Sequence, residues 1–570
     1  MNISYNWLKK YIAADLSAEA MATILTDIGL EVESFEKIET VRGGLQGVVV
    51  GEVLTCEKHP DSDHLHVTTV DVGAPEPLRI VCGAPNCRKG LKVLCATVGA
   101  VLYPEGGDEA FKIKRSKIRG VESLGMLCAE DELGIGASHD GIMELPADAP
   151  VGMPAKEYLH IEDDYLIGVG LTPNRVDAAS HIGVARDLAA YLRAKGDAEA
   201  RVLWPDVSAF AVDDHALEIG VTVENAEAAP RYTGVTITGC KIGPSPDWMQ
   251  NALRAAGIHP KNNLVDITNY VLFELGQPLH AFDARKIEGR RIVVKTCAEG
   301  TPFVTLDGVE RKLSDRDLMI CSAERPMCIG GVFGGLESGV GDDTTDIFLE
   351  SAYFNPVWVR KTAKRHGLNT DSSWRFERGV DPRLQVYALK RAALLFKELA
   401  GGRISSDIVE VSAADFVFDF SPARSNALIG KELSEQTYRT ILDALDVKIL
   451  DERDGVWRVA VPPYRVDVQR EADLVEEILR IYGYNKIEST GISGNMTQGQ
   501  RSPSQSFEAG LHRLLCGLGL DEINTFSFIS PKYYDKIGLP KDSAKRKSVT
   551  IRNPLGEDTS IMRTSSLPSM

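Results

Sequence analysis

The sequence predicts a multidomain α+β protein, and three observations support this fold class. A chain of 570 residues is too long for one hydrophobic core, so roughly three to five domains are expected. Segments with the two-residue periodicity of strands alternate with segments that have the periodicity of helices. Two polar stretches, 197–215 and "NMTQGQRSPSQS", interrupt both patterns and are typical of linkers.

The composition is that of an ordinary globular protein, with 44% hydrophobic and 25% charged residues. The sequence contains neither a run of about eighteen apolar residues nor the pattern of a secretory signal. The ten cysteines are scattered without a Cys-x-x-Cys motif, which argues against a disulfide framework or a thiolate zinc site and predicts a reducing, cytoplasmic location. The net charge of −17 argues against nonspecific coating of nucleic acid, yet it is compatible with a local basic patch.

The first part of the chain predicts a helical segment followed by a small barrel. Ser17 is a suitable N-cap and Gly29 a suitable end for a helix within the first forty residues. From Val48 the pattern changes to short alternating strands, "VVVGEVLTC", "HLHVTTVDVG", "LRIVCGAPN", "LKVLCATVGAVL" and "FKIKRSKIRGV". Because Gly, Pro and Asn turns separate these strands, they predict a β-barrel of about one hundred residues.

The last of these strands and its turn are strongly basic. They carry Lys112, Lys114, Arg115, Lys117 and Arg119. Cations at this density suit a phosphate backbone, and they suit equally an edge strand that is protected against aggregation. In the upstream segment "CEKHPDSDHLHV", the alternation favours a polar strand face over a zinc site.

Beyond Asp164 the sequence predicts a loop and a capped helix, then a mixed α+β domain at about 216–400 and a smaller domain at about 405–488. The glycine-rich "CIGGVFGGLESGVGDDTT" of the larger domain lacks the pattern of a P-loop or a dinucleotide fingerprint. No Ser-His-Asp or Cys-His signature accompanies its His280. Near residue 500 a further helix-and-strand unit begins, and the end at "NPLGEDTSIMRTSSLPSM" predicts that this last domain is incomplete.

An acidic cluster opens the helix predicted from Asp473 in "YRVDVQREADLVEEILRIYGYN". Asp473, Glu476 and Glu477 are predicted on one helical face, opposite the apolar side chains, and Asp467 lies just upstream. Carboxylates this close must be exposed, protonated or paired with cations. The cluster is therefore either a site for a hard cation such as Mg²⁺ or a helix start whose acids complement the helix dipole.

Eight segments occur in a fixed order along the chain: "MNISYNWLKKY", "GVVVGEVLTCEKHPDSDHLHV", "IVCGAPN", "LTPNRVDAASHIGVARDLA", "VDITNYVLFELGQPLHAFD", "TLDG", "RHGLNTDSSWRFERGVDP" and "PPYRVDVQREADLVEEILRIYGYN". Together they resemble the β subunit of bacterial-type phenylalanyl-tRNA synthetase. The resemblance covers essentially the whole chain, and its specificity lies in the number and order of the motifs. Subunits of this family are longer, in agreement with the incomplete last domain.

The resemblance implies an architecture of five parts. They are an N-terminal helical module at 1–39 and 151–196, an OB-type, tRNA-binding β-barrel inserted into it at 40–150, an α+β editing domain at 216–400, a small winged-helix-like domain with a magnesium site at 405–488, and the start of a degenerate, catalytic-like synthetase α/β domain at 500–570.

The resemblance also implies a function. The family joins phenylalanine to tRNA(Phe) with ATP in an (αβ)₂ heterotetramer, and the chemistry occurs on the α subunit. The β subunit supports tRNA binding and assembly and hydrolyses mischarged Tyr-tRNA(Phe). The implied partners are thus the α subunit and tRNA(Phe), with ATP as a substrate of the complete enzyme. A stand-alone tRNA-editing hydrolase and an RNA-binding assembly module are the alternative hypotheses.

Matched motif by motif, the family's functional residues fall on specific positions of this chain. The editing residues are Thr268, Asn269 and His280, and the wall against which the aminoacyl group lies is formed by Gly330, Gly331 and Gly334. The acid that reads the tyrosyl hydroxyl corresponds to Glu350, with Glu337 as the alternative. The ligands of a magnesium ion shared with the α subunit are Asp467, Asp473, Glu476 and Glu477. The implied mechanism is attack by an oriented water without a protein nucleophile.

Overall fold

The computed structural model describes residues 1–39, 41–104, 110–135, 138–159, 161, 163–408, 416–489, 491, 494 and 499–570. They form two compact units, 1–488 and 489–570, and each is treated by itself. Among these residues, no helix has the length and the apolar character needed to cross a membrane. All ten cysteines are free thiols.

The chain begins with two strands and two helices. They are β1 (Asn2–Ser4), α1 (Tyr5–Lys9), α2 (Ala18–Asp27) and β2 (Glu31–Ile38). The hydroxyl of Ser17 accepts a hydrogen bond from the Ala20 N–H at 3.2 Å, and Gly29 follows the helix with a φ of 88°. This N-cap and this left-handed glycine delimit α2 as the sequence predicts.

Ten strands then form the predicted barrel region. They are β3 (Val48–Lys58), β4 (His66–Asp71), β5 (Leu78–Cys82), β6 (Lys92–Thr97), β7 (Val101–Leu102), β8 (Phe111–Lys112), β9 (Ser116–Ile118), β10 (Val121–Ser123), β11 (Gly125–Leu127) and β12 (Glu144–Leu145). Its main antiparallel sheet has the order β11–β6–β3–β4–β5, with β12 also paired to β6. Because β11 lies beside β5, the sheet is a nearly closed barrel.

The prediction of one continuous basic strand at 111–121 is wrong. The segment is divided among β8, β9 and β10, and β9 and β10 form a hairpin with Ile118 opposite Val121. The two residues between them, Arg119 and Gly120, have φ values of 44° and 87°. A two-residue loop with positive φ at both positions reverses the chain tightly, so the alternation continues across a turn.

After the barrel, the chain returns to its first elements. It forms α3 (Ala155–Tyr158), β13 (Asp164–Gly170) and α4 (His181–Ala194). β13 pairs antiparallel with both β1 and β2, so the two parts of the N-terminal module share a three-stranded sheet. The module is predicted to be helical, and the sheet is an addition to that prediction. Its strand β2 is exposed along most of its length and shows no alternation, so the local sequence does not indicate a strand.

The following region contains two large sheets, a separate two-stranded sheet and five α-helices. Its elements are β14 (Gly220–Val223), β15 (Arg231–Thr238), α5 (Asp247–Ala255), α6 (Asn263–Leu275), β16 (Leu279–Asp283), β17 (Arg291–Thr296), β18 (Pro302–Val304), β19 (Glu310–Lys312), β20 (Leu318–Cys321), β21 (Pro326–Ile329), β22 (Phe333–Gly334), β23 (Ile347–Tyr353), α7 (Pro356–His366), α8 (Asp371–Phe376), α9 (Gln385–Ala400) and β24 (Arg403–Ile404). The sheet orders are β14–β17–β20–β21–β22 and β16–β23–β15–β24. Alternate residues of β23 enter different cores: Leu349 packs with α6 and α9, and Phe348 packs with the five-stranded sheet.

A small domain completes the first unit. Its elements are β25 (Phe416–Phe420), α10 (Pro422–Ile429), α11 (Glu435–Ala444), β26 (Lys448–Arg453), β27 (Val456–Val461) and α12 (Glu471–Tyr482). The strands form an antiparallel sheet with the order β25–β27–β26. Leu474, Val475 and Ile478 of α12 are buried against Trp457, as the helical period predicts.

The second unit contains α13 (Pro503–Gly517), β28 (Phe528–Ile529), α14 (Tyr533–Lys536) and β29 (Ile561–Met562). Its core is small and consists of Ile529, Tyr534 and Ile561. None of the residues of α13 is buried within this unit.

Candidate functional sites

The four-stranded sheet places two predicted site residues side by side. β23 lies between β16 and β15, and Glu350 on β23 is opposite His280 on β16 and opposite Gly234 on β15. Directly opposed residues of an antiparallel pair point to the same face, so Glu350 and His280 are neighbours. Phe348 and Phe282 belong to the same face and pack against the five-stranded sheet.

Glu350 is a buried carboxyl group without a countercharge. The residue is 6% exposed, and within the described residues it forms no ion pair. Its Oε2 atom accepts a hydrogen bond of 2.6 Å from the hydroxyl of Tyr232. Burial raises the pKa of Glu350 to about 7, and the Tyr232 hydrogen bond opposes that rise. An uncompensated acceptor in apolar surroundings is unfavourable for stability and is typical of a functional position.

His280 presents a neutral imidazole with an unused nitrogen. Burial lowers the pKa of His280 to about 4. Its Nε2 atom is buried and has no hydrogen-bond partner among the described residues. The ring packs edge to face on Phe282 with a centroid distance of 4.4 Å. The free nitrogen is therefore available to a ligand or to a water molecule.

The glycine-rich segment approaches this face closely. A Cβ atom at Gly334 on β22 would lie 3.1 Å from Cε1 of His280. At Gly331, where φ is 70°, a Cβ atom would lie 2.8 Å from the ring of Phe354, and at Gly330 it would lie 3.3 Å from a leucine. Gly334 thus borders the candidate site, whereas Gly330 and Gly331 allow the backbone to pack against the core.

Thr268 and Asn269 lie half-buried on α6, which leads through a short loop into β16. The hydroxyl of Thr268 donates to the carbonyl of Val265 at 2.7 Å. No hydrogen bond among the described residues links either side chain to Glu350 or His280. The structure therefore places these two residues on the helix that precedes the site, without joining them to it.

Glu337, the alternative to Glu350, has different surroundings. It is exposed, and its carboxylate pairs with the guanidinium of Arg325. Its position on the loop after β22 is not opposite His280 in any strand pairing of the described residues. Glu350 is therefore the carboxyl group that shares a face with His280.

The five predicted RNA-binding cations lie exposed on the barrel. They are Lys112, Lys114, Arg115, Lys117 and Arg119. Arg115 forms an ion pair of 2.5 Å with Glu122, and Arg119 donates to the carbonyl of Asp61 at 2.9 Å. Within the described part of the chain, the three lysines have no acidic partner within ion-pair distance, and the neighbouring Phe111 is 51% exposed. Unpaired ammonium groups beside an exposed ring suit a nucleic acid strand.

The acidic start of α12 is engaged by arginines. Glu477 is 4% exposed and accepts hydrogen bonds from Arg465 and, at 2.7 Å, from Nε of Arg480. Arg480 also donates to Asp187 of α4 at 3.1 Å. Burial by itself would raise the pKa of Glu477, but the guanidinium groups of Arg480 and Arg465 hold that pKa well below its usual range.

Two copies of the sequence Arg-Val-Asp meet at this point. Arg175 binds Asp177 through two hydrogen bonds of 3.0 Å, and Arg465 binds Asp467 at 3.1 and 3.0 Å. Nε of Arg465 lies 3.9 Å from Asp177, which connects the two copies. We call the whole set the arginine–carboxylate clasp; its members are Arg175, Asp177, Asp187, Arg465, Asp467, Glu477 and Arg480. The clasp joins the N-terminal module to the domain that contains α12.

The four predicted magnesium ligands are not gathered around one point. Glu477 and Asp467 belong to the clasp, Asp473 accepts from the Arg470 N–H at 3.2 Å, and Glu476 is exposed. Within the described residues, no three His, Cys, Asp or Glu side chains are grouped so that they could hold a metal ion. Glu477 is buried, whereas Glu476 on the same helix is exposed. The chain as described therefore does not fit a Mg²⁺ ion held by all four carboxylates.

Sequence reasoning missed Tyr232, Arg175 and Arg465. Tyr232 lies in β15, and no local pattern in the sequence indicates which group its hydroxyl meets. A signal for the clasp was present, because "RVD" occurs at 175–177 and again at 465–467. The pairing of Arg480 with Asp187 had no such signal, since the two residues are far apart in the chain.

Four family models match the chain. They are "Putative tRNA binding domain" over residues 48–154, "B3/4 domain" over 228–401, "tRNA synthetase B5 domain" over 418–484 and "Phenylalanyl tRNA synthetase beta chain CLM domain" over 487–570. Glu350 and His280 thus lie in the B3/4 match, and α12 lies in the B5 match.

Similar proteins extend over nearly all of the chain. The phenylalanine–tRNA ligase β subunits of Bacteroides fragilis and Porphyromonas gingivalis are 56% and 53% identical to it, over 99% of this chain and 68% of their own length. The corresponding subunit of Geobacter sulfurreducens is 44% identical over 100% of this chain and 70% of its own length.

Proposed function

The chain belongs to the family of phenylalanyl-tRNA synthetase β subunits, and from this premise we propose that the face bearing Glu350 and His280 hydrolyses mischarged Tyr-tRNA(Phe). The family places the chain in phenylalanine–tRNA ligase with a role in tRNA binding. The observation that carries the proposal is a buried carboxyl group that, among the described residues, has no countercharge and lies beside a buried histidine nitrogen without a hydrogen-bond partner.

Glu350 suits the recognition of a tyrosyl hydroxyl. A ligand with a hydroxyl group donates a hydrogen bond to the carboxylate and relieves its unfavourable burial, whereas a phenylalanyl group leaves the carboxylate unpaired. Sites that bind a hydroxyl in this way discriminate strongly against the analogue that lacks it. At Gly334 the absence of a side chain avoids a Cβ atom that would come within 3.1 Å of Cε1 of His280.

His280 suits the positioning of the attacking water. Because its imidazole is neutral, Nε2 accepts or donates a hydrogen bond according to the tautomer. In the hydrolysis, the water oxygen bonds to the ester carbonyl carbon, the bond to the ribose oxygen breaks, and the water proton passes to that oxygen. No protein nucleophile is needed. Asn269, on the preceding helix, is proposed to orient the same water, and Thr268 to support it.

The decisive experiment replaces Glu350 and His280 in the assembled αβ enzyme. We expect Glu350→Ala and His280→Ala to retain phenylalanylation and to lose most of the deacylation of Tyr-tRNA(Phe), so that Tyr-tRNA accumulates. Glu337→Ala is the matched control, because it removes an exposed carboxylate from the neighbouring loop and leaves deacylation intact. Deacylation at the wild-type rate in both test variants would show that the site is wrongly assigned.

The lysines of the barrel are proposed to contact the tRNA backbone together with Arg115 and Arg119. Each phosphate contact releases counterions, so binding through these side chains weakens as salt rises. Lys112→Glu together with Lys114→Glu is expected to weaken tRNA binding and to reduce its salt dependence. Lys89→Glu, an exposed lysine on the loop before β6, is the control. An unchanged salt dependence would exclude this surface.

An α subunit in an (αβ)₂ heterotetramer is the proposed partner, because the relatives are named β subunits. Size-exclusion chromatography of the chain with the α subunit tests this assembly. The magnesium proposal is restricted to such an assembly, since the chain alone does not gather the four carboxylates. There, Asp467, Asp473 and Glu476 would face the ion, and Glu477 would join only after it leaves its two arginines. ATP would be a substrate of the complete enzyme and would react at the α subunit. The protein is proposed to be cytoplasmic.

A further inference from the structure

Glu350 already holds the hydroxyl group of a tyrosine that belongs to the protein. Tyr232 lies on β15 opposite Ala352, two residues from Glu350 along β23. Its side chain is therefore a diagonal neighbour of Glu350 on the same face, within reach of an aromatic residue. Tyr232 is 2% exposed, and its hydroxyl lies 2.6 Å from Oε2 of Glu350.

The hydrogen bond divides the two oxygens of the carboxylate into different roles. Oε2 is occupied by Tyr232, and no hydrogen bond to Oε1 is found among the described residues. A carboxylate has acceptor sites on both oxygens, so Oε1 remains able to receive a second hydroxyl. Without Tyr232, the side chain of Glu350 would be free to rotate about its last bond and would present neither oxygen in a fixed direction.

We propose that Tyr232 is a positioning residue for specificity: it fixes the carboxylate of Glu350 so that Oε1 is presented to the tyrosyl hydroxyl of the substrate. This inference rests on the editing function proposed above. It goes beyond that function, because it assigns the discrimination between tyrosyl and phenylalanyl groups to Glu350 and Tyr232 together. Tyr232 touches Glu350 and acts on the substrate only through it.

Among the described residues, three titratable side chains face Glu350, and none of them has a pKa near neutral pH. They come from three strands and are Tyr232 on β15, His280 on β16 and Cys328 on β21. Burial raises the pKa of Tyr232 and of Cys328 well above their ordinary values, and burial lowers that of His280 to about 4. All three are therefore neutral when Glu350 ionises.

The Tyr232 hydrogen bond also favours the ionised form of Glu350, because a hydroxyl donates to a carboxylate. Loss of the hydroxyl therefore raises the pKa of Glu350 further. The acidic limb of the pH profile for deacylation of Tyr-tRNA should then move to higher pH. A purely structural role for Tyr232 would lower the activity at every pH and would not move this limb.

The test uses Tyr232→Phe in the αβ enzyme, with kcat and KM for the deacylation of Tyr-tRNA(Phe) measured from pH 6 to pH 9. We expect KM to rise roughly five- to tenfold, the effect of about one hydrogen bond, with a smaller change in kcat. The acidic limb should move up by about half a pH unit or more. Tyr353→Phe, which removes the hydroxyl of a neighbouring tyrosine on β23, should change neither quantity.

A double variant separates this inference from the editing function itself. In the Glu350→Gln background, Tyr232→Phe should add little, because the two residues act as one unit. Wild-type deacylation by Glu350→Ala and His280→Ala would overturn the editing function, whatever Tyr232→Phe does. If those variants are impaired while Tyr232→Phe keeps its KM and pH limb, or shows losses that add to those of Glu350→Gln, the role of Tyr232 is overturned and the editing site stands.

Discussion

Glu350 and Glu477 are both glutamates buried within the first unit, and their surroundings are opposite. Glu350 is 6% exposed and has no countercharge among the described residues; burial raises the pKa of its carboxyl group to about 7, and the hydrogen bond from Tyr232 opposes that rise. Glu477 is 4% exposed and lies against two guanidinium groups, which hold its pKa well below the usual range. Burial alone would therefore have suggested the same role for both residues.

The difference shows that burial alone does not indicate the role of a carboxyl group. What separates the two residues is whether cations of the protein neutralise the buried charge. A charge that is paired and hydrogen-bonded within the protein has little capacity left for a ligand, and its removal leaves other charges unpaired. A carboxyl group that is buried without a countercharge lowers stability and stays available to a donor. Glu477 therefore joins two parts of the fold, whereas Glu350 keeps the acceptor capacity that the proposed function requires.

The largest expected effect follows from removal of the compensated residue. Glu477→Ala leaves Arg465 and Arg480 buried with only part of their negative partners. The loss of one member of a buried ion pair typically lowers the free energy of unfolding by about 3–5 kcal/mol. Hydrogen exchange of α12 should report this loss as faster local opening.

Glu476→Ala provides the control for that experiment. It removes the adjacent carboxylate of the same helix, which is exposed, and surface substitutions of this kind change stability by about 0.5 kcal/mol or less. Equal effects of the two substitutions would contradict the clasp and would mean that α12 does not depend on its buried charges.

The second prediction concerns Glu350, whose substitution should raise the free energy of unfolding, whereas that of Glu477 should lower it. An ordinary glutamate in the unfolded chain ionises near pH 4.5, whereas Glu350 in the folded protein has a pKa of about 7. Between these values the folded state holds a proton that the unfolded state has released, so the free energy of unfolding falls as pH rises. Glu350→Gln removes this loss and should stabilise the domain that contains β23 by about 3 kcal/mol above pH 7.

Well below pH 4.5, residue 350 is neutral in the folded and the unfolded state of both proteins, and the variant should match the wild type. Urea unfolding at pH 5 and pH 8, followed by hydrogen exchange of β23, measures the difference. The same variant should lose activity on Tyr-tRNA, so stability and function would move in opposite directions. If Glu350→Gln destabilised the domain equally at both pH values, the prediction would be wrong, and Glu350 would behave like Glu477.

Glu350 and Glu477 also show which features of the fold and of the candidate sites could be predicted from the sequence. Periodicity was enough to predict α12 and the burial of Leu474 and Ile478, because both depend only on the local sequence of one helix. Family motifs pointed to Glu350 and His280. The partners of each carboxyl group come from distant parts of the chain: Asp187 precedes Arg480 by 293 positions and Tyr232 precedes Glu350 by 118. Such partners depend on how sheets and helices pack, which local patterns do not encode.

The smallest expected effect concerns magnesium and the chain without a partner. An ion that binds only the folded state at one hundred times its Kd would raise the free energy of unfolding by about 2.7 kcal/mol. Because two arginines already neutralise Glu477, we expect millimolar MgCl₂ to change the unfolding of this chain no more than the same ionic strength of NaCl. A gain specific to Mg²⁺ that disappears in Glu477→Gln would show that the ion competes with the arginines. Glu477 would then resemble Glu350, as a buried carboxylate that exchanges an internal partner for an external one.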